Sequence, residues 1–141
     1  MRRIALGLVV AAMVVACTSS AGIQVRNAVI AEPAGANTAL YFEIENTRNQ
    51  SDHLIGARTE VATAEVHRSF SGNGQMHMEH VTAVEIAGGE AVVFEPGGLH
   101  VMLLDVDRLK PEQVVIFVLE FEIAGDVEVE ATVKPYAAIA P

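Results

Sequence analysis

Thr38-Ala39-Leu40-Tyr41-Phe42-Glu43-Ile44-Glu45-Asn46 is the stretch that decides the fold class. Leu40, Phe42 and Ile44 alternate with Tyr41, Glu43 and Glu45. A period of two puts the apolar set on one face of a strand and the polar set on the other. Such a strand is half buried and belongs in a sheet with one covered face. The flanking sequence supplies partners. Ile23–Ile30 reads as a strand before it, with the turn Glu32–Asn37 between. After the polar turn Thr47–Asp52 come strand candidates at His53–Thr59, Val61–Arg68, Val84–Ile86, Ala91–Phe94, Leu99–Leu104, Val114–Ile123 and Val127–Val133. Ser71–Gly74 reads as a flexible turn, and Ala87–Glu90 and Glu95–Gly98 as further turns. A polar loop is expected over Asp105–Pro111. No stretch has the period of an amphipathic helix. Short strands with turn signals about every ten residues predict an all-β, antiparallel sandwich or barrel.

The length of 141 residues suits one domain, and a hydrophobic fraction of 51% is ample for one core. Part of that fraction is a targeting signal. Arg2 and Arg3 precede an uncharged apolar run, Ile4–Val15, of twelve residues. That run is too short to span a bilayer comfortably. It ends in Val14-Val15-Ala16-Cys17, which resembles the lipobox of bacterial lipoproteins. The expected organisation is a signal over residues 1–16, an acylated Cys17, a linker over 17–22, a β domain over 23–134 and a short tail over 135–141. The expected location is the periplasmic side of the envelope, with the membrane touched only through the lipid. The alternative is a simple cleaved signal.

Removing residues 1–16 takes away two Arg and no acid, so the formal charge moves from −9 to −11. That balance argues against nucleic acid as a partner. Cys17 is the only cysteine. With it lipidated, the domain has no disulfide, no redox pair and no thiol nucleophile. A blue-copper centre, which needs a Cys thiolate, is excluded as well. No catalytic constellation is visible, and a non-enzymatic monomer is expected.

The chemistry concentrates in His67, Met78, His100 and Met102. Thioether sulfur is a soft, neutral ligand that favours Cu(I), and imidazole suits copper in general. On a strand, His100 and Met102 point to the same face. The Pro96-Gly97-Gly98 turn puts them at a strand start, near the expected rim. Met76 and Met78 share the same spacing after a glycine turn, which makes Met76 a possible auxiliary ligand. His77 and His80 read mainly as solvent-facing, with a weak auxiliary role open to them. Met residues at strand spacing commonly fill cores, so the spacing of each alone is weak evidence.

Taken together, the pattern is specific. His67, ten residues, Met78, twenty-one residues, His100, one residue and Met102 resemble the metal motif of the PCuAC family of periplasmic copper chaperones. Gly74-Gln75-Met76-His77-Met78 and Glu95-Pro96-Gly97-Gly98-Leu99-His100-Val101-Met102-Leu103-Leu104 match its surroundings. The similarity runs from about Ile23 to Val133. It implies a cupredoxin-like fold and a Cu(I) site built from His67, Met78, His100 and Met102. It also implies delivery of copper to an acceptor, such as a cytochrome c oxidase subunit or another chaperone. Some members carry a His- and Met-rich tail linked to Cu(II). The tail Lys134–Pro141 has neither residue type, so one Cu(I) site is expected and an autonomous Cu(II) role is not. The competing readings are a structural or zinc-binding envelope lipoprotein and a general copper-tolerance buffer. The methionine pair argues against zinc, which prefers His, Cys and carboxylate ligands.

Overall fold

The computed structural model describes residues 19–20 and 22–139. The expected signal over residues 1–16 and Cys17 lie outside them. The described residues form β1 (Ser19–Ser20), β2 (Ile23–Ala31), β3 (Thr38–Asn46), β4 (Asp52–Arg58), β5 (Thr63–Gly72), β6 (Gln75–His80), β7 (Val84–Ile86), β8 (Ala91–Phe94), β9 (Leu99–Leu104), β10 (Val114–Phe121) and β11 (Gly125–Lys134). One short 3-10 turn follows at Tyr136–Ala138. Apart from that turn the described residues are all-β, and β3 has the bounds that its alternation predicts.

The strands join in one sheet with the order β6-β5-β9-β3-β2-β11-β10-β4-β7. β8 pairs with β3 beyond the end of β9, and β1 pairs with β2. Within the segment expected as a linker, Ser19 and Ser20 therefore lie opposite Gln24 and Ile23. The sheet is mixed, because β2 and β11 run parallel while the other pairs are antiparallel. β11 covers the edge of β2 that β3 leaves free, and it reaches that edge running in the same direction.

One core lies against a single face of this sheet, so the sheet curls to bring its halves together. Leu40, Phe42 and Ile44 of β3 join Ile23 and Ile30 of β2, Val66 of β5 and Val101 and Leu103 of β9. Phe117 and Leu119 of β10, Val127 and Val133 of β11, Leu54 of β4 and Ile86 of β7 complete it. Phe42 and Phe94 stack with ring centroids 4.4 Å apart. Each large aliphatic side chain buried here contributes about 1.5–3 kcal/mol before entropy is subtracted.

Two buried polar residues hold the end of the fold where β3 leads into β4. Asn46 donates to the carbonyls of Gln50 at 2.8 Å and Ile86 at 3.0 Å, and its Oδ1 accepts from the Arg48 N–H at 3.1 Å. Asp52 is fully buried. Its carboxylate accepts from the N–H groups of Ile123 and Ala124, both at 2.9 Å, and of His53 at 2.8 Å, and pairs with Arg48. Burial pushes its pKa up, but these four donors together outweigh burial and hold it below the ordinary carboxylate value. Because the folded value lies below the unfolded one, the stabilisation is present above about pH 4 and is lost as acid protonates the folded group. Asp52→Asn is expected to cost about 3 kcal/mol at neutral pH, read from urea unfolding, because it leaves Arg48 beside an unmatched pocket. The gap between the two proteins should close as acid takes the pH through the folded pKa of Asp52, below the ordinary carboxylate value. A gap that persists unchanged in acid would mean that the charge of Asp52 is not what stabilises this corner.

Candidate metal centre

The site follows from three adjacent strands, β6, β5 and β9. Asn73 and Gly74 connect β5 to β6, with φ angles of 52° and 76°. Two successive residues at positive φ are what a type I′ hairpin turn requires, and Asn-Gly is its preferred sequence. The segment expected as a flexible four-residue turn is thus a tight two-residue one. It sets the register: Gly72 faces Gln75, Ser69 faces Met78 and His67 faces His80. On the other side of β5, His67 faces His100 and Glu65 faces Met102.

A second turn fixes β9. Gly98 N–H donates to the Glu95 carbonyl at 3.1 Å, and Gly97 lies at φ 80°. Proline at the second position and glycine at positive φ in the third is the type II pattern. The Gly98 carbonyl then accepts from the Ser69 N–H at 3.0 Å, which ties this turn to β5.

Val66, Val101 and Leu103 point into the core. His67, His100 and Met102, one residue out of step with them, therefore share the opposite, outward face, and Met76, Met78 and His80 share it from β6. The residues expected to meet at the rim lie instead on this outer face, beside the sheet edge formed by β6. The ladder makes a row of imidazoles. The ring centroid of His67 is 6.0 Å from that of His100 and 5.7 Å from that of His80. Tyr41 closes the row, with its ring 6.4 Å from His100.

The methionines flank the row on opposite sides. Met102 sits one step towards Glu65, and Met78 one step towards Ser69 and the hairpin tip. His67, His100 and Met102 are near neighbours. Met78 and Met102 are not: in a flat sheet their Cα atoms would stand about 16 Å apart. Met78 is 55% exposed at the edge strand and Met76, a further step away, is 65% exposed. His77 faces the other way, stacked on Phe70 with centroids 5.4 Å apart.

The imidazoles are oriented by acceptors. His100 is only 4% exposed, and its Nδ1 lies 3.1 Å from the Gly98 carbonyl. A carbonyl only accepts, so Nδ1 carries the proton and Nε2 keeps its lone pair. The Nε2 of His67 lies 3.0 Å from the Glu65 carboxylate. Its Nδ1 is buried and has no hydrogen-bond partner among the described residues. A buried nitrogen lone pair without a donor is costly, and a metal ion is one group that would satisfy it. Burial lowers the pKa of His100 below the ordinary histidine value. The Gly98 hydrogen bond opposes that shift, and the charge on His67 adds to it. His100 therefore stays neutral to more acid pH than a free imidazole.

Glu65 and the in-row position of His80 were not read from the sequence. Both were within reach of it: Glu65 is two residues from His67 on a strand, and the Asn-Gly turn implies the pairing of His67 with His80. At neutral pH, long-range proton–nitrogen correlation spectra of the metal-free chain should show His100 protonated at Nδ1 and His67 at Nε2. The reverse tautomer at either ring would contradict the orientation described above.

Residues 23–133 match the family described as "Putative lipoprotein LpqE-like". "Putative lipoprotein Lxx21020" of Leifsonia xyli subsp. xyli is 25% identical over 119 residues, covering 82% of this chain and 72% of that protein. "Uncharacterized protein RP573" of Rickettsia prowazekii is 35% identical over 72 residues, covering 50% of this chain. The chain spans 40% of the length of that relative. Among solved structures, the copper-bound PCuAC domain from PmoF2 superposes with a TM-score of 0.70 at 23% identity, covering 83% of this chain and 96% of that one. Cu(I)-DR1885 from Deinococcus radiodurans superposes with a TM-score of 0.63 at 30% identity, covering 76% and 74%. The cupredoxin-like fold expected from the sequence is the fold found, shared with solved PCuAC domains, and the chain belongs to the LpqE-like family.

Proposed function

We propose that this protein is a copper chaperone of the cell envelope that holds one Cu(I) ion through His67, Met78, His100 and Met102. The observation that carries this reading is the ladder that sets His67 against His100, with Met102 and Met78 on the same outward face. Two neutral nitrogens and two thioethers form a soft set with no charge to repel or bind other cations strongly. The relatives support it: a PCuAC domain from PmoF2 is described as copper-bound, and DR1885 as carrying Cu(I).

Each residue has a part in holding and releasing the ion. Gly98 orients His100, and Glu65 orients His67 as carboxylates commonly orient metal-ligating imidazoles. Met102 supplies sulfur next to the row. Met78, 55% exposed at the edge strand, would complete the set only by bending of the β5–β6 hairpin towards His67. An incoming acceptor would displace this outermost ligand first, and transfer would proceed by stepwise ligand exchange without catalysis. A copper centre of cytochrome c oxidase is the acceptor proposed, and a lipid on Cys17 would keep the carrier at the membrane. The lipoprotein description of the family and of the Leifsonia relative is consistent with that tether.

In a competition titration, His100→Ala with Met102→Ala should lower Cu(I) affinity by well over about tenfold, since removing even an orienting partner of a ligand costs that much. An unchanged affinity would overturn the assignment. Met78→Ala should lower affinity and speed release to a thiol acceptor. Acid should weaken binding because a protonated imidazole cannot ligate, with the contribution of His100 persisting to more acid pH than that of an ordinary imidazole. Affinity that is flat across this range would exclude the imidazoles as ligands.

A further inference from the structure

β6 is a terminal strand of the sheet, and its outer edge is unpaired among the described residues. The phase of its backbone follows from the hairpin. In a two-residue turn the flanking pair, Gly72 and Gln75, exchanges hydrogen bonds, and bonded and non-bonded pairs then alternate along the ladder. Gln75, His77 and Glu79 therefore turn their N–H and C=O groups towards β5. Two bonds agree with this phase. The Val81 N–H donates to the Val66 carbonyl at 2.8 Å, and the Ser69 N–H, opposite Met78, points away from β6 to the Gly98 carbonyl at 3.0 Å. Met76, Met78 and His80 thus present their N–H and C=O groups to the outside. Edges of this kind are usually blunted by Lys, Pro, a bulge or shortness. The far edge, β7, has three residues. β6 has six, all exposed, with neither Lys nor Pro, and it pairs with β5 without a register shift. So regular an edge is a template for another strand.

We propose that a second copy of this chain pairs with this edge, antiparallel β6 on β6, about a two-fold axis at Met78. In that register Met78 faces Met78 of the second copy, Met76 faces its His80, and His77 faces its Glu79. Every outward N–H and C=O of β6 is then used, with two hydrogen bonds for each facing pair among Met76, Met78 and His80. The other registers are worse. Centring on His77 sets His80 against the turn residue Gly74 and leaves it unpaired. Centring on Glu79 sets carboxylate against carboxylate, which is destabilising. Glu79 is the one acidic residue of β6, and the Met78 register gives it an imidazole at both symmetric positions. The formal charge of −9 and an interface of one short strand keep the pair weak and reversible. The monomer expected from the sequence becomes the dilute form. Pairing itself needs no copper, and only its meaning rests on the Cu(I) reading. In that reading the Met78 residues of two carriers stand about 5.5 Å apart between Cα atoms, so that an ion can cross from one copy to the other.

The test uses the full chain without metal. Sedimentation equilibrium should show the mass rising from one chain towards two between about 10 μM and 1 mM. Over the same range, amide exchange read by NMR should slow at least about fivefold at Met76, Met78 and His80, and stay unchanged at His77 and Glu79, which β5 already protects. His77→Glu sets a carboxylate against Glu79 of the second copy and should weaken association at least about fivefold. Adding Glu79→Lys to it restores opposite charges at both positions and should recover the native association to within about threefold. A chain that stays single at about 1 mM would overturn the proposal and leave the edge to a different protein. So would protection confined to other strands, or association that His77→Glu leaves unchanged. Pairing as described in a chain that fails to bind Cu(I) would support this proposal and overturn the chaperone reading alone.

Discussion

The register of β5 against its two neighbours is the constraint on which the site depends. Val66 and Val101 are paired across β5 and β9 and both are buried in the core. That burial makes the pairing strongly specified, because a slip of one residue would turn His67 inward and Val66 outward. The cost of placing an imidazole without partners among aliphatic side chains is several times the cost of losing one ladder hydrogen bond. Core packing on one face of the sheet therefore positions the proposed ligand side chains on the other face, although none of them contributes to the core.

Turn chemistry transmits the same constraint to the edges. Asn73-Gly74 allows a two-residue connection, and this sets β6 so that Met76, Met78 and His80 join the face of His67. Pro96-Gly97-Gly98 sets the start of β9 and presents one carbonyl to both Ser69 and His100. The result is a graded surface. His100 is nearly sealed and held in one tautomer, His67 is half-sealed between two rings, and the β6 residues stand in solvent. A carrier needs such a gradient, with a fixed part for affinity and a loose edge for exchange.

The electrostatics match this division. The chain is acidic overall, yet Glu65 is the carboxylate that contacts an imidazole of the row. Where β3 leads into β4, Asp52 accepts from three backbone N–H groups and pairs with Arg48, so that its charge serves the fold. The two carboxylates differ in exposure. Asp52 is sealed and fully matched, while Glu65 remains accessible beside nitrogen lone pairs.

By itself the sequence determined the fold class and the bounds of the alternating strand β3, and it marked out the residues with soft donor atoms, because these depend on local period and on side-chain chemistry. The His-x-Met step was legible as a same-face pair for the same reason. Which residues meet across strands was a tertiary matter. The parallel closure of β11 on β2, the outward face of the site and the row His80–His67–His100 all depend on how separate strands register. Register is decided by core residues such as Val66 and Val101, not by the ligands themselves. The separation of Met78 from Met102 follows from that register too, since spacing along a chain says nothing about which side of a row each residue will occupy.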